Sequence, residues 1–116
     1  MGPYNLTTGK YDYIYTDAEH GIQWSLDVVS KLMDLYGQHP ALYAFEPVNE
    51  PWWNSDYDVL KSYYRQARDI IRGVNPDVIF TFHDGFNFSA EMWNDLFDDD
   101  DMENVVLDTH FYQAWW

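Results

Sequence analysis

The residues best suited to chemistry lie in the stretch Ala44-Phe45-Glu46-Pro47-Val48-Asn49-Glu50-Pro51. An apolar run, Ala41-Leu42-Tyr43-Ala44-Phe45, leads into it and has the length and residue types of a buried strand, about 41–47. Pro51 has no amide hydrogen to give to a sheet ladder, so the strand must stop before it. Glu50 is then left at the strand's carboxyl end. In a parallel α/β sheet that edge is where ligands sit and where reactive side chains are placed. Glu50 is therefore read as a catalytic carboxylic acid, able to give or take a proton.

Two later stretches deliver polar groups in the same way. Val78-Ile79-Phe80-Thr81-Phe82 runs into His83-Asp84-Gly85-Phe86, and Asn104-Val105-Val106-Leu107-Asp108 runs into His110, Phe111 and Tyr112. Three successive strands sending such groups to one edge is hard to explain by packing alone. His110 and Tyr112 are two residues apart on an extended segment, so both should face one side. Glu46 is expected to be a buried, hydrogen-bonded structural group. By strand rise it lies about 13 Å from Glu50, too far to act as its catalytic partner. No metal and no cofactor are expected. His83, Asp84 and His110 do not have a zinc spacing, and Asp98-Asp99-Asp100-Asp101 lacks the alternating ligands and glycine of a calcium loop. Trp52 and Trp53 suit a sugar platform and loop packing equally well.

The 116 residues amount to about one ordinary domain. At 47% apolar and 20% aromatic the chain can bury a core, and its aromatics exceed what such a core needs, so some should line a cleft. A net charge of −14 argues against nucleic acid, whose phosphates demand a basic footprint, and against anionic membranes. The absence of cysteine removes disulfide and thiolate chemistry. No apolar run approaches the roughly 20 residues of a membrane span, and the first residues lack the basic and apolar parts of a signal peptide. Asn5-Leu6-Thr7 and Asn87-Phe88-Ser89 are glycosylation triplets of a kind that also arises by chance.

The elements that must position these groups follow from periodicity. Residues 1–15 read as a loop. Thr16-Asp17-Ala18-Glu19 fits a capping box, followed by a helix to about residue 36 whose apolar face is Trp24, Val28, Val29, Leu32, Leu35 and Tyr36. Gly37 and Pro40 stop it. Ser55 or Asp56 caps a second helix with Val59, Leu60, Tyr63, Tyr64, Ala67, Ile70 and Ile71 inward, and Gly73 with Pro76 ends it. Ser89 caps a short third helix, about 90–97, burying Met92, Trp93, Leu96 and Phe97. Helices alternating with strands give crossovers and a parallel sheet.

Phe45-Glu46-Pro47-Val48-Asn49-Glu50-Pro51 resembles the fourth-strand signature of glycoside hydrolase family 5, and more closely that of its fungal-type exo-β-1,3-glucanases. His83-Asp84-Gly85-Phe86 is similar to the end of their fifth strand, and Val105 through Gln113 to their sixth. Asn-Glu-Pro alone is a weak motif. The three elements in order and spacing make a strong one. The resemblance implies an α/β fold, a partial (β/α)8 TIM barrel of three parallel strands with three helices, and a single catalytic domain of which residues 1–116 are a part.

The resemblance also implies roles. Glu50 would be the general acid/base and Asn49 would bond the sugar 2-hydroxyl. His110 and Tyr112 would position nucleophile and substrate. Phe86 and Trp115 match aromatic positions that clamp a sugar, with Trp52 and Asp84 beside them. The implied reaction is retaining hydrolysis of β-linked glucan, outside the cell or in its wall. A retaining glycosidase needs two carboxylates about 5–5.5 Å apart, and in this family the nucleophile is a glutamate at the end of strand seven, beyond Trp116. A full barrel takes about 250 residues. The 116 residues alone are expected to be inactive, and either to fold poorly or to self-associate through exposed sheet edges. The competing expectation is a non-catalytic carbohydrate-binding or assembly module on the same scaffold.

Overall fold

The computed structural model describes residues 4–7, 10–11, 21–51, 55–98 and 101–113. The expected capping box at 16–19 lies outside the described residues, as do Trp52, Trp53 and Trp115. The stretch read as a loop holds a short antiparallel pair, β1 (Tyr4–Asn5) and β2 (Lys10–Tyr11), with Tyr4 opposite Tyr11. Two rungs are too brief to leave a period-two pattern in the sequence.

Helix α1 spans Gly21–Tyr36. It packs on the next helix through Ile22, Leu26, Val29 and Met33, which are buried. This corrects the expected inward face. Of that face only Val29 is buried, whereas Trp24, Val28, Leu32, Leu35 and Tyr36 are exposed, Trp24 by 58%. α1 is apolar around much of its girth, so spacing could not choose a side. The contact with its neighbour chose it. Gly37 closes the helix by donating its backbone N–H to the Met33 carbonyl at 2.7 Å, and a Cβ there would lie 2.5 Å from that carbonyl oxygen.

A two-residue strand, β3 (Ala44–Phe45), replaces the expected strand over 41–47. Helix α2 (Tyr57–Val74) follows, and its cap is Asp56. The Asp56 Oδ1 accepts from the amides of Asp58 and Val59 at 3.0 and 3.2 Å, satisfying donors that the first helical turn leaves orphaned. Asp56→Ala is expected to cost about 1 kcal/mol, read as a lowered urea midpoint at unchanged slope.

Strands β4 (Ile79–His83) and β5 (Val105–Asp108) complete a parallel sheet in the order β3-β4-β5. Phe45 pairs with Phe80, and His83 with Asp108. Because all three strands run the same way, their carboxyl ends share one edge, as the alternation of elements predicts.

The expected third α-helix is absent. The described residues contain two α-helices, and Ala90–Trp93 forms a single 3₁₀ turn. Its bonds step three residues, Met92 to Ser89 and Leu96 to Trp93, and Ser89 makes no side-chain cap. A segment this short cannot repay helix nucleation, and Asn94 and Asp95 offer the backbone other partners. The three-residue step suffices to bury Trp93 and Leu96. Lys61, Arg65, Arg68 and Arg72, four of the six Lys and Arg residues in the chain, lie along one side of α2, and the first three hold this stretch and the residues just after it. Lys61 bonds Asp95 at 2.6 Å, Arg65 the Leu96 carbonyl at 2.8 Å, and Arg68 Asp101 at 2.8 Å.

The core gathers Tyr63, Tyr64, Phe80, Phe82 and Trp93 with the inner faces of both helices. The Tyr64 ring lies 5.5 Å from Phe82, 5.9 Å from Trp93 and 6.3 Å from Phe80. Its hydroxyl donates to the His83 carbonyl at 2.9 Å, so the core reaches up to the carboxyl edge of the sheet.

Candidate active site at the carboxyl edge of the sheet

The chain turns sharply after β3. Glu50 has φ +48, a left-handed conformation uncommon for a residue with a Cβ. Such strain persists where surrounding structure over-determines it, and it concentrates at functional sites. Extended spacing therefore does not apply from Glu46 to Glu50, and the separation of about 13 Å expected from strand rise has no strand behind it.

Glu50 meets the end of β5. Its Oε1 lies 2.7 Å from His110 Nδ1, and the Tyr112 hydroxyl donates to the same oxygen. His110 Nε2 lies 3.1 Å from Asp108 Oδ2. His110 thus has a carboxyl group facing each of its ring nitrogens. Its pKa is accordingly raised, first by the bond to Glu50 and further by Asp108, against the opposing effect of burial. The Glu50 and His110 side chains are 30% and 28% exposed, open enough for a ligand to reach.

The end of β4 forms the floor. His83 is fully buried, its ring perpendicular to His110 with centroids 4.4 Å apart. Its Nδ1 accepts the Gly85 amide at 2.9 Å, so the neutral ring keeps its proton on Nε2. Burial lowers the His83 pKa, and the neighbouring His110 charge adds to that against the pull of Asp84. Glu50, His83 and His110 each bring a ligand-type atom within 4.8 Å of the others. The donor chemistry does not suit a metal, because the Gly85 amide fixes the proton on His83 Nε2 and carboxylates face both His110 nitrogens. Within the trio Glu50 and His110 are hydrogen-bonded, whereas His83 meets His110 by ring contact and its Nε2 has no partner among the described residues.

Asp84 lies beneath the site rather than facing it. It is 1% exposed, and its Oδ1 accepts the Phe86 amide at 2.7 Å. That bond shapes the turn at Gly85 and Phe86, both left-handed at φ +63 and +62. A Cβ on Gly85 would also stand 3.2 Å from the Tyr57 ring, whose hydroxyl donates to the Gly85 carbonyl. The turn sets the half-buried Phe86 ring 5.0 Å from His83 and 6.4 Å from Tyr112. Asn49 is exposed beside Glu50.

Glu46 departs from the expected hydrogen-bonded role. Its Oε1 is buried without a partner among the described residues. Its pKa is raised first by burial and then by the charge of Asp108. The sequence reading assigned no role to Asp108 or His83. The signal for Asp108 was present: it stands two residues before His110 and so shares its side of the strand. His83 was legible as a polar group at the sheet edge, and the parallel register that sets it opposite Asp108 gives it its place under His110.

The family model of the cellulase family, glycosyl hydrolase family 5, matches residues 6–116. Among curated relatives, a probable glucan 1,3-beta-glucosidase A of Aspergillus terreus is 41% identical over 73 residues, 61% of this chain and 17% of that protein. The protein of the same name from Aspergillus niger is 35% identical over 103 residues, covering 80% of this chain and 24% of that protein. A glucan 1,3-beta-glucosidase of Blumeria graminis is 30% identical over 110 residues, 92% of this chain and 25% of that protein. The chain thus spans between 17% and 25% of the length of these relatives. With nearly its whole length matched and the carboxyl-edge geometry in place, the chain belongs to glycosyl hydrolase family 5.

Proposed function

We propose that these 116 residues supply the acid/base side of a retaining β-glucan hydrolase, with Glu50 as the proton-transfer group. The observation that carries this is the shared contact of His110 and Tyr112 on one Glu50 oxygen at the sheet edge. In the first step the Glu50 carboxyl protonates the departing sugar oxygen. In the second its carboxylate removes a proton from the incoming water, which hydrolyses the glycosyl-enzyme. His110 and Tyr112 orient the carboxyl. Asn49 is placed to bond a sugar hydroxyl, and Phe86 to stack on a ring. Trp52 and Trp115 are assigned to the same sugar sites by resemblance.

The nucleophile comes from a part of the protein outside these residues. The names of the relatives favour a β-1,3-linked glucan, and we assign the action to an extracellular or cell-wall polymer by resemblance. The test is laminarin hydrolysis by the longer protein that carries this segment. Glucose released with retained configuration, and lost in Glu50→Gln, supports the reading. Undiminished release by Glu50→Gln sinks it.

The 116 residues taken alone are expected to be inactive on laminarin and to associate. β3 and β5 are the outer strands of the sheet, and the exposed side of α1 adds an apolar patch around Trp24, Leu35 and Tyr36. Size-exclusion chromatography over a range of concentrations should show a mass that rises with concentration. A sharp monomer peak at every concentration counts against association.

A further inference from the structure

His110 stands between two carboxylates, Glu50 on Nδ1 at 2.7 Å and Asp108 on Nε2 at 3.1 Å. We propose that Asp108 is a positioning residue for Glu50, acting through His110. It holds the ring in the orientation that keeps Nδ1 against the Glu50 carboxyl group. The proposal rests on the reading of Glu50 as the acid/base.

An imidazole that is 28% exposed can turn about its ring bond and trade protein partners for water. Anchoring the far nitrogen removes that freedom, just as a third group orients the base in nucleophile–base pairs. Asp108 is well placed to do so because its own backbone is fixed. It pairs in register with His83, and its carbonyl accepts the Asp84 amide at 3.0 Å. Those bonds belong to the main chain, so changing the side chain leaves them in place. The other groups around His110 do not hold Nε2. His83 presents a neutral ring at right angles, and Tyr112 donates to Glu50 and keeps its ring 6.4 Å away. Glu46 couples to His110 through charge, with no hydrogen bond to it.

The experiment follows the His110 ring nitrogens by ¹⁵N NMR across pH in the longer protein, alongside laminarin kinetics. Asp108→Asn should make His110 titrate at lower pH and lower kcat about tenfold or more, with KM little changed. Asp108→Glu, which keeps the charge, should retain the His110 titration and recover much of the rate. Three outcomes overturn the proposal: His110 titrating alike in Asp108→Asn and the parent, Asp108→Glu behaving as Asp108→Asn, or a shifted His110 with unchanged kcat. The NMR result does not depend on hydrolysis. A protein inactive on glucan therefore sinks the reading of Glu50, whereas an unmoved His110 sinks only the role of Asp108.

Discussion

Glu50→Ala in the longer protein should cut laminarin hydrolysis by about 10²–10⁴-fold, the usual worth of a positioned proton donor and acceptor. The loss should depend on the leaving group. A glucan oxygen departs poorly without a proton, whereas a dinitrophenolate needs none. Turnover of a dinitrophenyl β-glucoside should therefore fall at the second step alone, where water must be deprotonated. Azide, a nucleophile that requires no base, should restore that step and give a β-glucosyl azide. The same loss on both substrates, with no azide rescue, would remove Glu50 from proton transfer and leave it a binding role. The prediction is sharp because Glu50 is 30% exposed and makes its side-chain bonds to His110 and Tyr112 rather than to the core. Its removal should cost activity far more than stability.

Tyr64→Ala is expected to do the reverse, costing about 3–5 kcal/mol of folding free energy. Tyr64 is fully buried among Tyr63, Phe80, Phe82 and Trp93. Truncation empties a ring-sized space that two helices and a sheet cannot easily refill. It also removes the donor to the His83 carbonyl, leaving a buried acceptor unpaired. Against a typical domain stability of about 5–15 kcal/mol the effect is large. Urea denaturation of the longer protein should show it as a lowered midpoint, and Tyr64→Phe, which keeps the ring, should lose only the hydrogen-bond part, about 1–3 kcal/mol. An unfolding free energy for Tyr64→Ala within about 1 kcal/mol of the parent would mean that this aromatic cluster is not what ties the sheet to α2.

Local chemistry carried much of this protein into view. Gly37 had to end α1, and the even spacing of His110 and Tyr112 had to put both on one side. Alternating helix and strand patterns required a parallel sheet, hence one edge for Glu50, His83 and His110. These follow from the amino-acid sequence because each depends on a neighbour a few residues away. The tertiary structure decided the rest. It selected Ile22, Leu26 and Met33 over Trp24 and Leu35 as the packed side of α1, since only a partner can choose between two apolar faces. It shortened β3 and put Glu50 in a left-handed turn, and it reduced 90–97 to a 3₁₀ turn held by arginines of α2. It also brought His110 to Glu50, across 60 residues of chain. Contacts between residues that far apart are set by how elements dock, and no local pattern encodes docking on its own.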